Sequence, residues 1–322
     1  MTNPERHPAE MEMGPGGSDR GVEVIAPREV PLGGPRAMHV RRTLPARGRT
    51  LIGAWCFADH YGPDPVAATG GMSVAPHPHT GLQTVSWLFT GEIEHRDSAG
   101  NRAMVRPGEV NLMTGGHGIS HSEISTAGIT ELHGVQLWVA LPEQSRDVAP
   151  GFSHHVPPEL AGAGWTARVF LGSLLGHASP VPTYTPLLGA EIALAAGTTL
   201  ALDVDATFEH GVLVDSGGVV VDDREVEPAE LAYVPPGREV LRVTARGDTR
   251  VVLLGGPPFD ESIVMWWNFV GRTHEEIVGF REAWQAQITP DGSGVVDGRF
   301  GVVSDLPPIP APALPNARLA SR

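Results

Sequence analysis

The sequence has no lysine and little positive charge. All 23 basic residues of the 322-residue chain are arginines, against 37 aspartates and glutamates, and the formal net charge is −14. Proteins that bind nucleic acid directly neutralise its phosphates with a basic face. We therefore expect no direct nucleic-acid binding, and we take the acidic balance as a sign of solubility rather than of one function.

Cysteine and long apolar runs are also scarce. The single cysteine, Cys56, lies in the apolar stretch 53–57 and cannot form a disulfide within the chain. We expect it to be a small buried residue in a protein of a reducing compartment. No signal-peptide core and no apolar run long enough to span a bilayer is seen. The sequence thus predicts a cytoplasmic protein with no membrane partner.

Glycine and proline are abundant instead, with 40 and 30 residues. This density favours short strands and many turns, and the segment 77–123 alternates strands with glycine-rich corners, as in a small antiparallel barrel. One helix is predicted, because Thr273 and Glu276 form a capping box. Apolar residues follow it at helical spacing: Ile277, Phe280, Trp284 and Ile288.

Two doublets with metal-ligand character stand about forty residues apart, His77-Pro78-His79 and His121-Ser122-Glu123. Residues i and i+2 of a strand point to the same face, so two such strands facing each other would aim four side chains at one point. A single His-x-His pair is common, and the second doublet strengthens the signal. Three imidazoles and one carboxylate suit a first-row transition metal with open positions, whereas structural zinc sites are closed and rich in cysteine.

With these motifs the chain resembles the pirin family of the cupin superfamily. The resemblance covers about residues 22–315 and rests on His77-Pro78-His79 with Gly81, 94–98, Pro107-Gly108, 115–123, 136–139, Pro257, Phe259 and 265–272. It implies an all-β bicupin: two β-barrel (jelly-roll) domains with few short helices, and a metal site in the N-terminal barrel only.

The resemblance and the turn pattern together divide the chain into five segments. We expect a disordered N-terminal segment, a first barrel that holds the metal, a linker, a second barrel that ends in the helix, and a tail that packs back on the first barrel: 1–21, 22–141, 142–164, 165–290 and 291–322. The second barrel lacks both doublets, and its His210 is expected to be a surface or turn residue.

The pirin metal site has three histidines and one glutamate around iron, and these positions fall here on His77, His79, His121 and Glu123. Ordinary cupins carry a glutamate ligand in the first motif, where this chain has Gln83. A neutral amide is a poor ligand, so the carboxylate should come from Glu123. The resemblance implies one Fe(II) per chain, although Mn, Ni, Cu and Co accept the same ligands.

In function, the resemblance implies a dioxygenase that uses O2 to cleave quercetin-type flavonols, with Glu123 as ligand and general base. An aromatic substrate needs a largely apolar pocket. Candidate substrate contacts are Phe57, Met72, His117, Gln136 and Trp138, with Trp87 as a further wall residue. His95 and Asp97 are expected to fix a hairpin turn.

The alternative is a non-enzymatic, iron-dependent regulator that senses redox state and acts through a protein partner. Both hypotheses use the same ligands, and they differ in whether a bulky aromatic molecule can reach the metal. A storage or sugar-isomerase cupin does not account for the pirin motifs. The physiological substrate, the native metal and the oligomeric state remain open at this stage.

Overall fold

The computed structural model describes residues 3, 5, 8–14, 21–32, 38–303 and 306–315. Within this part of the chain almost every element is a strand. The strands up to the middle of the chain are β1 (Met11–Met13), β2 (Glu23–Ile25), β3 (Arg28–Leu32), β4 (Met38–Leu44), β5 (Trp55–Pro65), β6 (Ser73–His79), β7 (Leu82–Thr90), β8 (Ile93–Asp97), β9 (Arg102–Val105), β10 (Val110–Thr114), β11 (Ile119–Ser125), β12 (Glu131–Ala140) and β13 (Gly151–His155).

The second half is built in the same way. Its strands are β14 (Leu160–Gly162), β15 (Trp165–Leu171), β16 (Ser173–Leu174), β17 (His177–Ala178), β18 (Leu188–Leu194), β19 (Thr199–Asp203), β20 (Glu209–Ser216), β21 (Val219–Val221), β22 (Arg224–Val226), β23 (Leu231–Val234), β24 (Val240–Ala245), β25 (Thr249–Gly256), β26 (Ile263–Trp266) and β27 (Phe269–Gly271). The helices are α1 (Val66–Thr69) and α2 (His274–Gln287), with a 3₁₀ turn at Glu143–Ser145.

Each half forms a barrel from a seven-stranded and a four-stranded sheet. The first barrel has the orders β13-β10-β7-β12-β5-β4-β3 and β6-β11-β8-β9. The second has β14-β15-β18-β25-β20-β23-β2 and β19-β24-β21-β22. The predicted all-β fold of two barrels is confirmed.

The two large sheets pack against each other, face to face. Trp87 of β7 stacks on Phe170 of β15 with ring centroids 4.7 Å apart, and its Nε1–H donates to Glu191 at 2.6 Å. Val135 and Leu254 belong to the same buried cluster. Because side chains alternate along a strand, the opposite face of the first large sheet lines the interior of the first barrel. A site inside that barrel is therefore separated from the second barrel by a full sheet.

Three strands cross the segment limits expected from the sequence. Strand β2, assigned to the first barrel, pairs with β23 of the second. Strands β13 and β14, both from the expected linker, pair with β10 of the first barrel and with β15 of the second. Residues 11–13 are not disordered, because β1 pairs with β26 and buries Met13. Such long-range pairings leave no local pattern in the sequence. Residues 1, 2, 4, 6, 7 and 15–20 of that N-terminal segment lie outside the described residues.

The predicted helix is confirmed as α2. The Thr273 side chain accepts a hydrogen bond from the Glu276 N–H at 3.2 Å, and Trp284 is buried on the inner face. Trp284 Nε1 donates to the Ile309 carbonyl at 2.8 Å, and the Ile309 N–H donates to the Pro76 carbonyl at 2.8 Å. The segment 306–315 thus runs from α2 to β6. None of the helices in the described ranges is long and apolar enough to cross a membrane.

Candidate metal centre

The three histidines of the two doublets meet inside the first barrel. His77 and His79 lie on β6 and His121 on β11, and His121 is the register partner of His77. One ring nitrogen from each lies within 4.8 Å of the others, and the Nε2 atoms of His79 and His121 are 3.1 Å apart. The two strands are neighbours in one sheet rather than facing strands, so the rings converge from a single wall.

Burial keeps these rings neutral. All three are 0 % exposed. Burial lowers the pKa of His77 to about 3, and burial together with the charge that His77 can carry holds the pKa values of His79 and His121 well below the usual range. Neutral imidazole is the form that binds a metal, so these ligands need to release no proton near neutral pH.

Glu123 stands beside this group rather than within it. One of its carboxylate oxygens lies within 4.8 Å of ring nitrogens of both His95 and His121, a second group that shares only His121 with the first. The pairing of β11 with β6 shifts register between His121 and Glu123. Burial raises the pKa of Glu123, electrostatic interactions with its surroundings lower it, and the net shift is downward. The carboxylate is therefore ionised at neutral pH.

The donor set fits a divalent first-row metal. His77 Nδ1 lies 2.9 Å from the Ala75 carbonyl, which sets this nitrogen as the donor. Its Nε2 is buried without a hydrogen-bond partner, an arrangement that costs free energy unless another group binds that lone pair. Neutral nitrogens with one anionic oxygen are borderline ligands, suited to iron, manganese, cobalt, nickel or copper.

Aromatic and amide side chains flank the histidines on the large sheet. Trp138 presents its edge to His79 at 5.2 Å and stacks on Phe57 with centroids 4.0 Å apart. Gln136 Oε1 accepts a hydrogen bond from Ser86 Oγ at 2.9 Å. These predicted contacts share the interior of the barrel with the candidate metal ligands.

Met72 is buried too, in the apolar cluster that contains Val74 and Leu88. Three other residues singled out from the sequence point elsewhere. The His117 side chain is exposed on the turn before β11. Trp87 faces the second barrel because it alternates with Ser86, which faces inward. Gln83 Nε2 donates to Thr114 Oγ1 at 3.0 Å.

Sequence reasoning missed Tyr61, which lies on β5 opposite Gly134 of β12. Its hydroxyl is buried without a hydrogen-bond partner, as is the Nε2 of Gln136. Burial, and then the charge of Glu123, raises the pKa of Tyr61 well above its usual value. Alternation along β5 from Phe57 could have placed Tyr61 on the inner face.

A second cluster of ligand-type side chains joins the two barrels. Asp215 Oδ1 of β20 lies 2.7 Å from His60 Nε2 and 2.5 Å from His133 Nε2, while its Oδ2 accepts from Arg250 Nε at 2.8 Å. Arg41 Nη2 lies 3.4 Å from His60 Nε2. Two guanidinium groups beside one carboxylate disfavour a further cation. We interpret this cluster as a link between barrels, and its residues come from strands too distant in sequence to form a motif.

His210 differs from its expected place on the surface. It is 0 % exposed in the second barrel, and neither ring nitrogen has a hydrogen-bond partner. Burial lowers the pKa of His210 to about 4. In a strand His210 shares its face with Phe208 and Val212, which both pack in the core of the second barrel, so this alternation could have placed the imidazole inside.

Comparison with known proteins gives a consistent result along the chain. A family model described as Pirin matches residues 37–139, and one described as the Pirin C-terminal cupin domain matches residues 189–289. A Pseudomonas aeruginosa protein named "putative quercetin 2,3-dioxygenase" is 43% identical over 297 residues, 91% of each chain. A pirin-like protein of Caulobacter vibrioides is 39% identical over 259 residues, 77% of this chain and 88% of that protein.

A solved structure agrees with these sequence matches. The crystal structure of a quercetin 2,3-dioxygenase from Acinetobacter baumannii superposes with a TM-score of 0.86 at 35% identity. The match covers 94% of this chain and 98% of the other. The likeness therefore extends over both barrels and is not confined to the one that carries the histidines.

Proposed function

Because the chain belongs to the pirin family, we propose that it is a metal-dependent dioxygenase that cleaves quercetin-type flavonols with O2. His77, His79, His121 and Glu123 are the proposed ligands of a single Fe(II). The observation that carries the proposal is the buried group of three histidine nitrogens within 4.8 Å of one another. Two relatives of the chain bear the name of this activity, which supports the choice of reaction.

The three imidazoles hold the metal as neutral donors, since burial keeps them unprotonated. A bound iron supplies Lewis-acid polarisation of a substrate oxygen and exchange of electrons with O2. Burial of the ligands excludes bulk water from the site, because His77 and His121 are 0 % exposed. Exclusion of water strengthens the electrostatic interactions within the site.

Glu123 is the proposed general base. It is ionised and 1 % exposed, and Ser86 Oγ lies 3.4 Å from its Oε1. A buried carboxylate at this place can accept the proton of the flavonol 3-hydroxyl group. This transfer would leave the substrate as an anion, and the protonated Glu123 would stay within reach of the Ser86 hydroxyl.

Tyr61 and Gln136 are the proposed polar anchors for the substrate. The Tyr61 hydroxyl and the Gln136 Nε2 are both buried without hydrogen-bond partners on the inner wall of the barrel. A polyphenol offers oxygens that could satisfy both groups, and the Phe57–Trp138 stack offers an aromatic wall. Buried donors that become paired only with substrate favour a hydroxylated ligand over an unsubstituted one.

The test is anaerobic loading with Fe(II), followed by O2 uptake and loss of the flavonol absorption band with a panel of flavonols. A flavone without the 3-hydroxyl is the matched control, since Glu123 then has no proton to accept. We expect turnover of flavonols and none of the flavone. Metal-loaded protein that consumes no O2 with any flavonol would reject the proposal.

A second candidate is the redox-sensing regulator, and one observation favours it. The ligands are closed off from solvent, and a surface segment covers the turn that precedes His121. Arg299 Nε donates to the His117 carbonyl at 2.7 Å, and Ser120 Oγ donates to the Phe300 carbonyl at 2.9 Å. A change of metal charge could reach the surface through these contacts. A partner protein retained by the Fe(III) form and not by the Fe(II) form, without flavonol turnover, would favour this role.

A further inference from the structure

We propose that His95, held by Asp97, is a positioning residue that fixes the ring of His121 with its Nε2 toward the other two histidines. The inference rests on the proposed function in so far as it takes His121 to be a metal ligand. It assigns to His95 a role beyond the hairpin turn expected from the sequence.

The structure places the three side chains in a row on neighbouring strands. Asp97 and His95 of β8 are the register partners of His121 and Glu123 of β11. His121 Nδ1 lies 3.3 Å from His95 Nδ1, and His95 Nε2 lies 3.3 Å from Asp97 Oδ2. His121, His95 and Asp97 are 0 %, 3 % and 6 % exposed, so water does not compete freely for these contacts.

The far end of this row is anchored to the backbone. Asp97 Oδ1 accepts hydrogen bonds from the Ala99 N–H at 2.9 Å and the Asn101 N–H at 3.0 Å. Asn101 Nδ2 adds a third donor, 2.9 Å from Oδ2. The turn interpretation therefore holds for Asp97. His95 in addition stacks on Phe152 of β13 with centroids 4.9 Å apart, which restricts rotation of its ring.

The positions of the protons on the two imidazole rings follow from which nitrogen of His121 binds the metal. If His121 Nε2 binds metal, the proton of the neutral ring must be on Nδ1, which then donates to His95 Nδ1. His95 must then carry its own proton on Nε2, which donates to Asp97. Every donor meets an acceptor in this arrangement. The reversed arrangement would place a proton on His121 Nε2 and block it as a ligand.

The hydrogen-bond partner on the second nitrogen of a histidine ligand affects how tightly the metal is bound. A histidine ligand is usually oriented by a carboxylate or a carbonyl on its other nitrogen, and loss of that partner typically costs about 10–100-fold in metal affinity. His77 has the common form, because its Nδ1 faces the Ala75 carbonyl. For His121 the structure offers an imidazole with a carboxylate behind it. We expect removal of His95 to cost a similar factor.

The matched variants are His95→Phe and His95→Gln. Phenylalanine keeps a ring against Phe152 but offers no acceptor to His121. Glutamine restores an acceptor for His121 and a donor for Asp97. Co(II) is the probe, measured by its visible absorption bands and by competition with a chelator. Far-UV circular dichroism and thermal unfolding of each apo protein check the fold.

We expect His95→Phe to bind Co(II) about 10–100-fold more weakly with altered bands, and His95→Gln to approach the wild type. If His95→Phe does not fold, Asp97→Asn replaces it, since the amide keeps an acceptor for the turn but weakens the bond to His95. Wild-type affinity and bands in the folded variant would overturn the inference. An equal loss of Co(II) affinity in both His95 variants would also overturn the inference, because it would indicate that His95 itself binds the metal. Wild-type protein that binds Co(II) as expected but, after loading with Fe(II), oxidises no flavonol would contradict the proposed function alone.

Discussion

The Nε2 atoms of His79 and His121 lie 3.1 Å apart, although 42 positions separate the residues in sequence. Two neutral imidazoles that turn lone pairs toward each other repel unless a proton or a cation lies between them. In the metal-free fold a proton on one Nε2 can bridge the two rings as a hydrogen bond. A cation that binds both nitrogens would replace this proton and stabilise the folded state.

We predict one metal per chain, bound by the first barrel. His77→Ala should abolish binding, because it removes a buried ligand whose Nε2 has no other partner. His133→Ala is the matched control: it removes a buried histidine from the cluster around Asp215, which we assign to the link between barrels. Elemental analysis after loading and desalting measures both. Two metals in the wild type, or loss of metal in His133→Ala, would contradict the assignment.

Glu123→Gln should lose more activity than metal. The amide still offers an oxygen, but it removes the ionised carboxylate that is proposed as the base. Because general-base catalysis contributes about 10²–10⁴-fold, turnover per bound metal should fall by about that factor. The measurement is the rate of flavonol loss divided by metal content. A variant that turns over at the wild-type rate would remove Glu123 from the chemistry.

Tyr61→Phe should weaken substrate binding and leave stability nearly unchanged. The Tyr61 hydroxyl has no partner in the protein, so its loss costs the fold little. A lost hydrogen bond to substrate should raise KM about tenfold. Tyr233→Phe is the control, since that hydroxyl donates to Glu209 at 2.9 Å in the second barrel.

For Tyr233→Phe we expect a loss of about 1 kcal/mol in the free energy of unfolding and an unchanged KM. Denaturant unfolding and steady-state kinetics give both quantities for each variant. The reverse pattern, with KM changed only in the Tyr233 variant, would show that the Tyr61 hydroxyl does not face the substrate.

His210 should make the fold sensitive to acid. Burial lowers its pKa from 6.5 to about 4. The unfolded chain therefore takes up this proton at a higher pH than the folded chain, so the stabilisation is present above about pH 6.5 and lost as the pH falls toward 4. As the pH falls, the free energy of unfolding of His210→Leu should therefore decrease less steeply than that of the wild type. The difference in slope should reach up to about 1.4 kcal/mol per pH unit.

Urea unfolding of the metal-free protein between pH 4.5 and 7 measures that slope. The buried histidines of the first barrel titrate in both proteins, so the comparison isolates His210. Equal slopes for the wild type and the variant would show that the imidazole is protonated in the folded state, or that it reaches solvent.

Local patterns were sufficient for much of the fold and for the centre of the site. The i, i+2 spacing of the doublets predicted that His77, His79 and His121 share one face, and the capping box predicted the start of α2 at Thr273. Both signals lie within a few residues of sequence. Strand alternation is equally local, and it places Trp87 and Ser86 on opposite faces. The sequence alone does not say which of the two faces the interior of the barrel.

Features that depend on distant pairing were not predictable in this way. Strand β2 joins the second barrel across about two hundred residues of sequence, and His60 meets Asp215 only because the two large sheets pack together. The role of His95 depends on the register of β8 against β11. No local pattern in a sequence fixes the register between strands, so these relationships are visible only in the folded structure.

The fate of dioxygen distinguishes a flavonol dioxygenase from a protein that only binds metal. Fe(II)-loaded protein and a flavonol are mixed under ¹⁸O2, and the ring-opened product is analysed by mass spectrometry, with Glu123→Gln alongside. We expect both labelled oxygen atoms to enter the product of the wild-type protein, and we expect the variant to form little product. A wild-type product without the label, or no product from protein that contains a full equivalent of iron, would contradict this expectation.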